Sequence, residues 1–331
     1  MIKKLIKKAP IINKIIVSRD HYKSELDKAS AQLAGLTQEN NQQKKILKDN
    51  KARLSKLLYE PGHFYSPIPD GDDIRNRSKD LFDRTLIELP GINLRTKAQL
   101  ELLNTFYKYY DEIIFPSKKT KGLRYHYEND AYSYTDSIML YSFMRYLKPS
   151  KVIEVGSGYS SAAMLDVDEH FLDKKTSFTF IEPYPKLLQS LLKNDDKKRV
   201  SIEDKNVQML DPSYFSSLKA GDILFIDSTH VSKVGSDVNH IFFKIIPSLA
   251  KGVYVHIHDV FWPFEYLEDW VYEGRAWNED YLLRAFLMYN DEFEIVLWSD
   301  YMHRASPSFF THKMPLCKKN LGGSIWLRKT S

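Results

Sequence analysis

The residue types that could do chemistry fall where predicted strands end. Glu154-Val-Gly156-Ser-Gly158 closes the first strand, Glu182 the second, Asp227 with His230 the fourth, and His258-Asp259 the fifth. A carboxylate at the end of a buried strand is costly unless it meets a cation or hydrogen-bond donors, so Glu154 implies a positively charged group on a ligand. Gly156 and Gly158 allow close backbone approach, and the helix that follows offers free N–H groups, although a glycine turn alone is a weak signal. Glu182, 28 positions after Glu154, is placed to accept from two ribose hydroxyls. His230 and His258 carry imidazoles that titrate near neutral pH and could take a proton from a hydroxyl. Asp227 and Asp259, at neighbouring strand ends, offer oxygens to a divalent cation. In the alternative reading, Asp227 binds loop amides and Asp259 orients one of the histidines. His256 reads as structural and His240 as packing or surface.

These residues can meet only if a parallel sheet brings the strand ends together. Strands are predicted over 151–155, 178–181, 200–202, 222–226 and 253–257, with helical segments between them such as 184–193 and 236–249. Strands alternating with helices mean right-handed crossovers and a sheet covered on both faces. In such a sheet the ligand lies beyond the carboxyl ends, where the strand order reverses. Helices are expected over 97–114 and from Ser133 to Tyr146, the second opened by a capping box of Ser133 and Asp136. A long helical region over 265–289 precedes two closing strands, 293–298 and 324–328. Phe261, Trp262, Phe264, Tyr266, Trp270, Tyr272 and Trp277 suit either an acceptor pocket or the core. Glu265, Arg275, Asn278 and Glu279 could read hydroxyls or be solvated.

The acid-x-Gly-x-Gly pattern after the first strand and the acid after the second resemble the class I S-adenosylmethionine-dependent methyltransferases, over about residues 130 to 329. IEVGSGYSS, FIEP, LFIDSTH and HIHDVF in order look like a bacterial subgroup linked to glycan and secondary-metabolite pathways. The resemblance implies an α/β, doubly wound, Rossmann-like sheet of seven mostly parallel strands with a closing antiparallel hairpin. It places the methionine moiety of S-adenosylmethionine near Glu154, Gly156, Gly158 and Asp227, and the ribose at Glu182. His230, His258 and Asp259 become the catalytic candidates, with a hydroxyl of a sugar, glycan or other small molecule as acceptor. Magnesium at Asp227 and Asp259 is implied by catechol-type relatives. Ser160 stands where the family often has a third glycine, and Val260 where those relatives carry a second acid or amide. Two rival readings are an NAD-dependent oxidoreductase and a donor-binding scaffold without turnover; an acid at position 154 disfavours the first.

Composition bounds the rest. The chain has 331 residues, 43% hydrophobic and 27% charged, and a net charge of +5. Residues 1–19 alone carry six bases and no acid, so the remainder is close to neutral. That leaves no cationic surface of the kind a nucleic-acid enzyme spreads over its folded domain. Residues 1–19, basic and rich in Ile, suit an anionic membrane surface, with Pro10 expected to break the segment. Residues 20–58 show a heptad spacing from Tyr22 to Leu57 that predicts a coiled coil and a homo-oligomer. Residues 59–95 read as a linker or lid, including His63 to Ser66, and 96–331 as the catalytic domain with a helical cap. A single cysteine, Cys317, excludes a disulfide framework and paired-thiol chemistry. With no apolar run long enough to span a bilayer, the protein is expected in the cytoplasm, free or peripheral on the inner face of the membrane.

Overall fold

The computed structural model describes residues 10–54 and 58–331, in two compact units divided between Asp70 and Gly71. Residues 1–9 of the basic segment and the heptad position Leu57 lie outside the described residues.

In the first unit Pro10–Leu54 is one α-helix, α1, and every residue from 10 to 51 is exposed. It crosses the expected boundary at residue 19 without a break; Pro10 is its first residue, and the stretch that this proline was expected to separate from it lies outside the described residues.

The second unit opens with α2 (Gly71–Leu81) and α3 (Thr96–Tyr110). Within the segment expected as linker, Arg84 is tied down. Its guanidinium donates to three backbone carbonyls, those of Trp262, Glu265 (2.7 Å) and Tyr266 (2.7 Å). Helix α4 (Tyr134–Leu147) then leads into β1 (Lys151–Val155).

The sheet continues with β2 (Ser177–Ile181), β3 (Val200–Glu203), β4 (Ile223–Ile226), β5 (Tyr254–His258), β6 (Phe293–Trp298) and β7 (Ser324–Lys329). Its order is β3-β2-β1-β4-β5-β7-β6. The first five strands are mutually parallel, and β7 runs antiparallel between β5 and β6. All four side chains of β4, Ile-Leu-Phe-Ile, are buried, as a strand covered on both faces requires. Each such side chain contributes about 1.5–3 kcal/mol by leaving water. The order reverses between β1 and β4, which fixes where a ligand site should lie.

The layers over the sheet include α5 (Tyr159–Phe171), α6 (Lys186–Leu191), α7 (Asp237–His240) and α8 (Ile246–Ser248), the last two joined by a π-helical turn, Ile241–Ile245. Helix α4 seats on the sheet where the Phe143 ring stacks on Trp326 at 3.9 Å. The helical region expected over 265–289 is two helices, α9 (Glu268–Tyr272) and α10 (Glu279–Leu287). Gly274 takes φ +86 between them, a conformation glycine adopts without steric cost. The chain then turns so that the amides of Asn278 (3.0 Å) and Glu279 (3.2 Å) donate to the His230 carbonyl. Helices α11 (Ser299–Ala305) and α12 (Pro307–His312) link β6 to β7.

Candidate active site

The two halves of the site touch at one glycine. Gly156 follows β1 at φ +81, and a Cβ there would lie 1.7 Å from the carbonyl oxygen of Asp227 after β4. Only a residue without a side chain lets these two loops meet. Gly158, extended at φ −177, precedes α5, and its amide donates to Ser161 Oγ at 3.1 Å.

Glu154 is fully enclosed. One carboxyl oxygen accepts from Ser160 Oγ at 2.5 Å and the other from Ser161 Oγ. Among the described residues no Lys or Arg pairs with it. Burial dominates its acidity and, with the nearby Asp227 and Glu182 charges, outweighs the two serine bonds, so its pKa is pushed up to about 8. The sequence pointed to a ligand cation here; in this chain the carboxyl is held by its own serines. Glu182, at the tip of β2, accepts from the amides of Ser157 (3.2 Å) and Tyr184 (2.8 Å). Two buried hydroxyls beside the glycine contact, Ser157 Oγ and Ser228 Oγ, find no partner among the described residues. A buried hydroxyl without a partner costs free energy, so this half of the site is suited to a polar ligand such as S-adenosylmethionine.

The acceptor half gathers two imidazoles among four carboxylates. His230 Nδ1 lies 2.9 Å from Glu279 Oε2, and its Nε2 lies 3.5 Å from both Asp227 and Asp259. His258 Nδ1 is 3.4 Å from Asp227 and 3.5 Å from Asp259, while its Nε2 faces Asp136 at 3.6 Å. Burial alone would lower the pKa of His230, yet Asp227, Glu279 and Asp259 push it up to about 10. His258 is raised well above its usual value for the same reason, Asp259 and Asp227 outweighing burial. Burial opposes ionisation of Asp227, but His258 and His230 hold it well below the usual carboxylate range. Burial keeps Asp259 above that range. The surrounding acids thus favour the protonated form of both rings in this arrangement. His230 (φ +59) and Asp259 (φ +57) both hold left-handed backbone, a strained conformation for side-chain-bearing residues that concentrates at functional sites.

Asp227, His230 and Asp259 each present a ligand atom, all within 4.8 Å of one another. Two carboxylate oxygens and an imidazole nitrogen fit a divalent cation. His230 stands as a third donor beside Asp227 and Asp259, the pair expected from the sequence.

A cleft of about 720 Å³ opens beside this cluster, lined by Asp136, Asp227, His258 and Asp259 at its base and by Phe261, Trp270, Arg275 and Arg304 among its walls. Phe261 and Trp270 meet edge to face at 5.2 Å, and the Arg275 guanidinium lies 4.1 Å from the Trp270 ring. Trp262 and Phe264 instead pack on Trp298. Asn278 is bound to the Ser232 backbone, and Glu265 accepts from Tyr281 Oη at 2.5 Å. His256 is buried, stacked on Phe225 at 3.9 Å, and burial keeps it well below its usual pKa, consistent with a structural role.

Asp136 was legible only as a helix cap. No side chain caps α4; Ser133 Oγ donates to the Tyr127 carbonyl, and Asp136 accepts from the Gly323 amide at 3.2 Å while facing His258. Glu279 was a candidate for reading hydroxyls, and it holds His230 instead. Buried Asp280, which accepts from the Phe261 amide, gave no sequence signal at all.

Residues 153–260 match a family model described as a methyltransferase domain. The chain carries a methyltransferase domain. The matched span runs from within β1 through the residue after Asp259, so it contains the expected donor-binding and catalytic residues from Glu154 to Asp259 but not the aromatic and polar candidates of 261–279. An uncharacterized protein of Archaeoglobus fulgidus is 32% identical over 167 residues, 49% of this chain and 74% of that protein, and the chain belongs to the same family. Among solved structures, the SAH-bound Podospora anserina methyltransferase PaMTH1 is 15% identical, with a TM-score of 0.40 over 80% of this chain and 99% of its own. The Streptomyces achromogenes O-methyltransferase TomG, in complex with SAM, is 11% identical with a TM-score of 0.40, over 78% and 96% of the two chains.

Proposed function

We propose that this protein is an S-adenosylmethionine-dependent O-methyltransferase acting on a hydroxyl of a sugar or glycan precursor. The observation that carries the reading is the contact at Gly156, where a donor half with two serine hydroxyls that find no partner among the described residues meets the Asp227–His230–His258–Asp259 cluster. Glu182 would take the ribose hydroxyls, and Gly156 and Gly158 would let the methionine moiety approach the backbone. The donor's methyl is already activated by its sulfonium, so alignment and proton removal are the protein's tasks. The C–S bond breaks with its electron pair staying on sulfur, the C–O bond forms, and the hydroxyl proton leaves. Asp259, whose proton affinity is raised by burial, is the group best suited to receive that proton, with His230 and His258 holding its carboxylate in place. As an alternative to proton uptake by Asp259, magnesium would be held by Asp227 and Asp259, with His230 joining them only once it has lost its proton, and would lower the hydroxyl's pKa. Phe261 and Trp270 supply ring faces on which a sugar can lie.

No helix among the described residues is long and apolar enough to cross a membrane. The start of α1 nevertheless exposes Ile11, Ile15 and Val17 beside Lys14 and Arg19. This composition supports attachment to an anionic inner membrane face, where a lipid-linked glycan would be presented.

Melting the purified protein with S-adenosylhomocysteine or with NAD separates this reading from a dinucleotide enzyme. The expected result is a higher Tm with the first ligand alone; a rise with NAD alone would overturn the assignment. Mass spectrometry of glycans incubated with protein and S-adenosylmethionine then reads the acceptor class as one added CH₂. A product methylated on nitrogen or carbon would sink the hydroxyl reading.

A further inference from the structure

Helix α1 is 45 residues long, and each of its residues from 10 to 51 faces solvent in a single chain. Helices in proteins draw most of their stability from packing an apolar face, and α1 has such a face. Tyr22 (73% exposed), Leu26 (67%), Leu33 (66%), Leu36 (64%) and Leu47 (69%) lie on one stripe at alternating steps of four and three. A seam of two apolar positions per heptad is the narrow stripe of a coiled coil, not the broader face that packs on a globular core.

We infer that α1 pairs with α1 of a second copy of this chain as a parallel, in-register, two-stranded coiled coil. Three features select this arrangement over others. With Leu26, Leu33 and Leu47 at a positions, Asn40 is also an a residue. One polar Asn at a, facing its counterpart, specifies register and the two-stranded state at some cost in stability. Glu39 then occupies g and Lys44 the following e, so each Glu39 meets Lys44 of the second copy. An antiparallel pair would set e against e, where Lys23, Lys44 and Lys51 repel. Gln43 and Asn50 at d, and Gly35 through its low helix propensity, keep the pair weak, which makes Asn40 and the Glu39–Lys44 contacts decisive for its geometry. The basic side chains Lys14 and Arg19 of both copies then lie at one end of the coil, doubling whatever surface they engage.

The full-length chain tests this by light scattering and cysteine cross-linking. Native Cys317 is buried, so introduced thiols report alone. Leu26→Cys, Leu36→Cys and Leu47→Cys, made singly, are each expected to form an intermolecular disulfide under mild oxidation. Gln38→Cys, on the outer face, stays uncross-linked. The scattering mass is expected at twice the monomer's and falls by half in the double variant Leu33→Asp, Leu36→Asp. A trimer mass, or a monomer at the highest soluble concentration, would overturn the inference. Cross-linking at one seam position only would too, because an antiparallel pair brings identical residues together only near its midpoint. None of these readouts depends on methyl transfer.

Discussion

Replacing Glu154 by Gln tests the electrostatics of the donor half. The carboxyl is wholly buried, and its pKa rises from 4.5 to about 8 because burial outweighs the bonds from Ser160 and Ser161. The unfolded chain ionises it near 4.5, whereas the folded chain keeps it protonated until about 8. Between those values the folded state binds more protons, so this group's contribution to stability falls as pH rises. At about 1.4 kcal/mol for each pH unit, the loss amounts to roughly 5 kcal/mol by pH 8 and then levels off. Gln has no such dependence. It forces Ser161, which already accepts from the Gly158 amide, to rearrange at a cost of about 1 kcal/mol. The variant should therefore be slightly less stable than wild type near pH 5 and clearly more stable near pH 9. Urea midpoints for both proteins at intervals from pH 5 to 9 measure this. A stability difference that stays flat with pH, or that grows in favour of Glu154, would refute the reasoning.

Gly156→Ala would drive a methyl carbon into the Asp227 carbonyl at 1.7 Å, at a residue with φ +81. We expect a loss above about 4 kcal/mol and no Tm rise with S-adenosylhomocysteine; a melting curve like that of wild type would show that the loops can part cheaply. Arg84→Met removes the charged donor from three carbonyls and should lower stability by about 3 kcal/mol. An unchanged urea midpoint would mean that water replaces the guanidinium. Glu279→Gln leaves His230 in place without its 2.9 Å acid partner. As a positioning residue, Glu279 should affect kcat by about 10–100-fold and leave the KM for the donor unaltered; an intact kcat counts against that role.

The strands were legible because period and punctuation agree. β1 was placed at its observed bounds, and β2 to β5 begin or end within a residue of expectation, since apolar runs closed by Glu, Asp or His mark where a parallel sheet meets solvent. The site residues at those ends came with them. What stayed hidden depends on contacts across long stretches of chain. Asp136 reaches His258 from α4, 122 positions away, and its local setting reads as a helix cap. Glu279 meets His230 only because the chain breaks at Gly274, inside what looks like a continuous helix. The raised proton affinity of the two imidazoles was likewise invisible, because it depends on how many acids the fold brings around each ring and not on the histidines themselves.

The bonds from Ser160 and Ser161 to Glu154 have a consequence for inheritance. Two hydroxyls on the first turn of α5 and one acid on β1 form a closed unit, so a substitution at any one of the three unbalances the other two. Lineages descending from this chain should exchange those positions together, and an attempt to transplant the acid alone into another scaffold would carry across the burden of an enclosed carboxyl without the serines that make it tolerable.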